Sequence, residues 1–132
     1  MADLDNDGDL DLVVCNNDGP PCLLRNDGGN RNRSICFRLI GKRSNRDGIG
    51  ARVTIHTRLR MQVQELRCGD SYLSASDLRV HFGIGQVDRV ERAEVRWPGG
   101  AVERFEDLPA NHLIVLEEEK GITLKRPMSA AR

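Results

Sequence analysis

The stretch Val90-Glu-Arg-Ala-Glu-Val-Arg-Trp97-Pro-Gly-Gly100-Ala-Val-Glu-Arg-Phe-Glu106 decides the fold class. Ala93, Val95 and Trp97 alternate with Arg92, Glu94 and Arg96, so one face is apolar and the other charged. That period of two is the signature of a strand half-exposed to water, because successive side chains point to opposite faces. Pro98-Gly99-Gly100 stands between two strand-like runs, 90–97 and 101–106, and predicts a hairpin.

The same alternation recurs on either side. Ile35, Phe37 and Leu39 alternate with Cys36, Arg38 and Ile40. Ala51, Val53 and Ile55 alternate with Arg52, Thr54 and His56, and the register is expected to continue through Leu59, Met61 and Val63. Leu78, Val80 and Phe82 alternate with Arg79 and His81, with a tight turn expected at Gly83-Ile-Gly85. Leu113-Ile-Val-Leu116 reads as a strand covered on both faces. Helical periodicity is weak throughout. Turn signals at Asn26-Asp-Gly-Gly29 and Arg46-Asp-Gly48 separate the runs. The fold class is therefore all-β: an antiparallel β-sandwich or barrel-like domain, with a short N-terminal partial propeller-blade segment implied by the resemblance given below.

The polar, Gly-rich run from Asn26 to Ser34 marks a boundary. Residues 1–30, with two short strands at about 11–15 and 21–25, precede it. Residues 31–124 form the β domain, and residues 125–132 read as a frayed tail.

Charge excludes some functions. The 132-residue chain carries 20 basic and 20 acidic side chains, which argues against generic nucleic-acid binding. Only Lys42, Lys120 and Lys125 are lysines; arginine supplies the other basic groups. The few aromatics are needed for a core, which leaves little to stack on a sugar, so carbohydrate is a possible but unsupported ligand. Cys15, Cys22, Cys36 and Cys68 form no C-x-x-C pair, and His56, His81 and His112 stand apart from them, so no zinc motif is present. Buried thiols and disulfides are both open. No apolar run is long enough to cross a membrane, and the opening Met-Ala-Asp-Leu-Asp has no signal-peptide core, as expected of a piece cut from a longer protein.

The chemistry is concentrated at the start. Asp3, Asp5, Asp7, Asp9 and Asp11 alternate along a loop with Gly8 after the third. Calcium takes six to eight oxygens in flexible geometry. Asp3, Asp5 and Asp7 are expected to offer side-chain oxygens, Asp9 its carbonyl, and Asp11 a closing carboxylate, direct or through water. The loop is not an EF-hand: Val14 stands where the closing Glu belongs. Five carboxylates this close repel one another, so a cation is expected to order them.

Two family resemblances follow. Asp3-x-Asp-x-Asp-Gly-x-x-Asp11 followed by Leu-Val-Val resembles the calcium loop of an FG-GAP or VCBS repeat, the unit of integrin-type propellers. Asn45-Arg-Asp-Gly-Ile-Gly-Ala-Arg-Val53, Gly69-Asp-Ser-Tyr-Leu-Ser74, Asp77-Leu-Arg-Val-His-Phe-Gly-Ile-Gly85, Val95-Arg-Trp-Pro-Gly-Gly100 and Asn111 resemble the ASPIC/UnbV domain. That domain follows such repeats in cartilage acidic protein and related bacterial proteins. The resemblance implies a non-enzymatic extracellular binding or structural module of a calcium-binding repeat protein. Its partners would be the parent propeller or another protein, in adhesion-like interactions, and its location secreted, cell-surface or periplasmic. The alternative is an accessory or catalytic component of a biosynthetic pathway.

Two loops are secondary candidates for ligand contact: Asn45, Arg46 and Asp47, and Asp70, Ser71 and Tyr72. Each is also a turn whose polar side chains can satisfy local backbone. Ser71 and Ser74 have no His–Asp partner nearby in sequence, so no hydrolase triad is read.

Overall fold

Trp97 and Ala101 close the expected hairpin. The Trp97 amide donates to the Ala101 carbonyl at 2.9 Å and the Gly100 amide to the Trp97 carbonyl at 2.8 Å. Gly100 takes φ +91°, the left-handed residue that a three-residue hairpin loop requires. The computed structural model describes residues 1–28, 31–69 and 72–129. Its strands are β1 (Leu12–Val14), β2 (Cys22–Leu24), β3 (Arg33–Ile40), β4 (Arg52–His56), β5 (Met61–Glu65), β6 (Arg79–Gly85), β7 (Arg89–Arg96), β8 (Val102–Pro109), β9 (His112–Glu117) and β10 (Gly121–Pro127).

The fold is all-β. One four-stranded sheet has the order β10-β9-β3-β6 and the other β5-β4-β7-β8; β1 and β2 form a separate ribbon. The first sheet is mixed, because β3 and β9 run parallel, with Phe37 opposite Ile114. Among the described residues no closed barrel forms; the two sheets make a sandwich. Ile35, Phe37 and Leu39 from β3, Val53 and Ile55 from β4, Phe82 from β6, and Val95 and Trp97 at the end of β7 meet between the sheets, at most 1% exposed. Phe37 and Phe82 pack edge to face, their centroids 6.0 Å apart. Each such side chain contributes about 1.5–3 kcal/mol by leaving water. No helix of the described residues is long and apolar enough to cross a membrane.

Three expectations are corrected. Leu59, Met61 and Val63 do not extend the core face of β4. Thr57 turns the chain, its amide and hydroxyl both donating to the Arg60 carbonyl, and β5 returns antiparallel. The register sets Val63 opposite Thr54 and Gln62 opposite core Ile55, so the apolar set faces out; Leu59 is 66% exposed and Met61 60%. The inward Gln62 and Gln64 donate to the β6 carbonyls of Gly83 (3.0 Å) and His81 (2.7 Å), joining the open edges of the two sheets.

Gly83-Ile-Gly85 is not a turn but the end of β6, with Ile84 buried. The pairing with β3 slips between Arg33 and Ser34, and this irregularity absorbs the glycines. Lys125–Pro127, read as tail, pairs with β9 as the end of an edge strand. Lys, Arg and Pro on an exposed edge hide a strand from pattern reading and suit such an edge. Residues 130–132 lie outside the described residues.

Candidate functional site

The Asp loop is closed on itself. The Ala2 and Asp11 main chains exchange hydrogen bonds at 3.2 and 2.8 Å. Asn6 (φ 61°) and Gly8 (φ +97°) supply the left-handed backbone that turns the chain tightly between them. The Asp3 carboxylate sits inside this turn, 3% exposed, and accepts from the amides of Asp7 (3.1 Å) and Gly8 (3.3 Å). Asp7 Oδ1 accepts from the Asp9 amide. With those amides satisfied, one oxygen from each of Asp3, Asp5 and Asp7 lies within 4.8 Å of the others.

The five aspartates therefore divide. Asp3, Asp5 and Asp7 converge. Asp9 is buried, with its amide tied to Asp7. Asp11 is buried and braces the loop: Oδ2 accepts from the Leu4 amide at 3.0 Å and Oδ1 from the Asn26 amide at 2.9 Å. Those amides, that of Asn26 foremost, hold the Asp11 carboxyl below its ordinary value. Burial pushes the Asp3 carboxyl up, and Arg79 beside it offsets only part of that. Two oxygens on opposite sides of a calcium ion stand about 5 Å apart at ordinary bond lengths, so the Asp3, Asp5 and Asp7 set fits a hard divalent cation.

The loop lies on the outer face of the first sheet. His81 Nε2 is 2.6 Å from the Gly8 carbonyl, and Ser34 Oγ donates to the same carbonyl at 3.0 Å. Arg79 donates to the Asp3 carbonyl at 2.6 Å and to Asn6 Oδ1 at 2.8 Å, and its Nε pairs with Asp77. From the other end of the chain, the Ser129 amide and hydroxyl donate to the Asn6 carbonyl. Ser34 and Cys36 point away from the inter-sheet core yet are buried. Burial pushes the Cys36 thiol up to about 12. Alternation by itself sets Arg79 and His81 on a solvated face and carries no sign of this role. Their loop partners lie more than 70 positions away, and no local pattern encodes such a distance.

The secondary candidates sit in turns. Asn45 grips Ile49 twice, accepting from its amide and donating to its carbonyl. Asp47 accepts from Arg38, and the Arg46 carbonyl accepts from the Gly41 amide. Tyr72 is exposed, and its carbonyl accepts from Ser74. Asp70 and Ser71 lie outside the described residues.

A second acidic group proves central to this end of the sandwich. Glu118, 1% exposed, accepts at Oε2 from the amides of Lys42, Arg43 and Ser44, each at 2.8 Å, and at Oε1 from the Ser44 hydroxyl. It pins the loop that carries Asn45, Arg46 and Asp47.

The family model described as ASPIC and UnbV matches residues 41–123. The chain belongs to the ASPIC and UnbV family. No curated protein matches it. The ASPIC/UnbV match begins at the Glu118-pinned loop and ends inside β10. It thus takes in both edge strands joined by Gln62 and Gln64, and Arg79 and His81. The Asp loop and β3 precede it in the chain, although β3 pairs with β6 and β9 at the centre of the first sheet.

Proposed function

We propose that this ASPIC/UnbV chain is a non-enzymatic binding and structural module whose N-terminal loop is a calcium site of the FG-GAP or VCBS type. The observation that carries the reading is the convergence of Asp3, Asp5 and Asp7 within 4.8 Å on a loop turned by Asn6 and Gly8. An all-oxygen donor set suits calcium or magnesium over softer metals. Asp11 braces the loop that presents these three carboxylates, its two oxygens accepting from the Leu4 and Asn26 amides. Calcium bound there would supply charge neutralisation and rigidity.

A non-catalytic role is supported by how the candidate bases and nucleophiles are used. His81 is turned to the Gly8 carbonyl, His112 to the Ala110 carbonyl and His56 to Arg92. The Ser34 and Ser44 hydroxyls serve the loop and Glu118. A calcium module of this kind suits a setting where free calcium is abundant, so the reading extends to a parent protein that is secreted, at the cell surface or in the periplasm. Its partners there would be the parent's repeats or another protein, in adhesion-like contacts.

Calorimetric titration with calcium tests the reading. Uptake is expected in the chain as it stands and is expected to vanish in Asp5→Ala and Asp7→Ala. Absence of uptake in the unsubstituted chain, and also with preceding repeats attached, would sink it.

A further inference from the structure

The acidic loop brings a cation from its own chain. Arg79 stands on β6 with its side chain 16% exposed, against an Asp3 side chain at 1%. Its Nη2 donates to the Asp3 carbonyl at 2.6 Å and its Nη1 to Asn6 Oδ1 at 2.8 Å, while its Nε is fixed by Asp77. The two loop contacts bracket the tight turn from outside. Inside that turn the Asp7 and Gly8 amides donate to the Asp3 carboxylate. Arg79 therefore holds the residue whose carboxylate caps the turn. Its Nη1 also stands 3.9 Å from Asp3 Oδ2, close enough to attract in a site that water screens poorly. Ser34 and Ser129, which hold Gly8 and Asn6, carry no charge.

We infer that Arg79 is a positioning residue: its guanidinium fork, braced by Asp77, keeps the Asp loop folded on the sandwich when no metal is bound. The loop then meets its cation preformed, at less ordering cost. Arg79 does not occupy the site, because its short contacts go to a carbonyl and an amide oxygen rather than to the carboxylates that converge. The inference takes from the calcium reading only what the loop later binds; the order of the metal-free loop stands apart from it.

Amide hydrogen exchange in the presence of a chelator tests this. Asp7 and Gly8 are expected to be protected in the unsubstituted protein. In Arg79→Ala they are expected to exchange about tenfold faster or more, the loss of a charge-assisted hydrogen bond, while Val95 in β7 stays protected. Added calcium is expected to restore their protection in Arg79→Ala. Unprotected Asp7 and Gly8 in the metal-free unsubstituted protein would overturn the inference, as would wild-type exchange in Arg79→Ala. Should Arg79→Ala not fold, Arg79→Lys decides: it keeps the charge and loses the fork. Faster exchange confined to Asp7 and Gly8 supports the inference, and wild-type exchange there overturns it. Failure of the calcium reading looks different. Calorimetry then shows no uptake and calcium restores nothing, while the effect of Arg79→Ala in chelator persists.

Discussion

The Glu118 carboxylate accepts from both the main-chain amide and the hydroxyl of Ser44, at 2.8 and 2.9 Å, across 74 positions of sequence. With the Lys42 and Arg43 amides added, one buried side chain terminates a whole loop. Glu118→Ala leaves those donors without their acceptor and is expected to cost about 2–4 kcal/mol, read from urea unfolding. Burial alone would raise this carboxyl, but its four hydrogen bonds outweigh that and hold it below its ordinary 4.5. A carboxyl lowered in the folded state stabilises fully above its unfolded value, and the contribution fades as pH falls through the folded value. The unsubstituted protein should therefore lose stability on acidification below about pH 4.5, and Glu118→Gln should lose less over that range.

Gly48 stands at φ +67°, and a Cβ there would lie 2.9 Å from the Leu39 Cβ. Both the left-handed backbone and a core neighbour that cannot swing away oppose a side chain. Gly48→Ala is expected to lower stability by about 1–3 kcal/mol, measured by chemical denaturation. An unchanged midpoint would show that the turn relaxes freely.

All four cysteines are free thiols; Cys15, Cys22 and Cys68 are exposed and Cys36 is buried. Thiolate is the reactive form, and burial raises Cys36 to about 12. A thiol reagent at pH 8 is expected to modify Cys15, Cys22 and Cys68 in the native protein, and Cys36 only after denaturant is added. Rapid modification of Cys36 in the native state would contradict the packing around β3.

The hairpin at Pro98–Gly100 was legible because its cause is local: an alternating run, a turn triplet, another alternating run. Ile35, Phe37, Leu39, Val53, Ile55, Val80 and Phe82 were legible for the same reason, and all are buried. Local pattern misleads where a neighbour in space decides. Leu59, Met61 and Val63 continue the apolar alternation of β4, but an intervening turn reverses the strand and inverts the faces. Lys125–Pro127 carries no pattern at all, because an edge strand is held by backbone pairing to β9 rather than by burial of alternate side chains.

The acidic loop divides in the same way. Alternating aspartates with a glycine after the third are a local code, and from it alone the convergence of Asp3, Asp5 and Asp7 could be expected. Which aspartates brace and which converge depended on the Leu4, Asn26, Asp7 and Gly8 amides, whose positions follow from the folded turn. That Arg79, His81, Ser34 and Ser129 would grip this loop was written nowhere in its neighbourhood. Side-chain periodicity is a property of one strand and can be read along the chain. A hydrogen bond or ion pair between distant positions exists only once the sheets have stacked, so the tertiary structure alone made an isolated acidic run part of the sandwich.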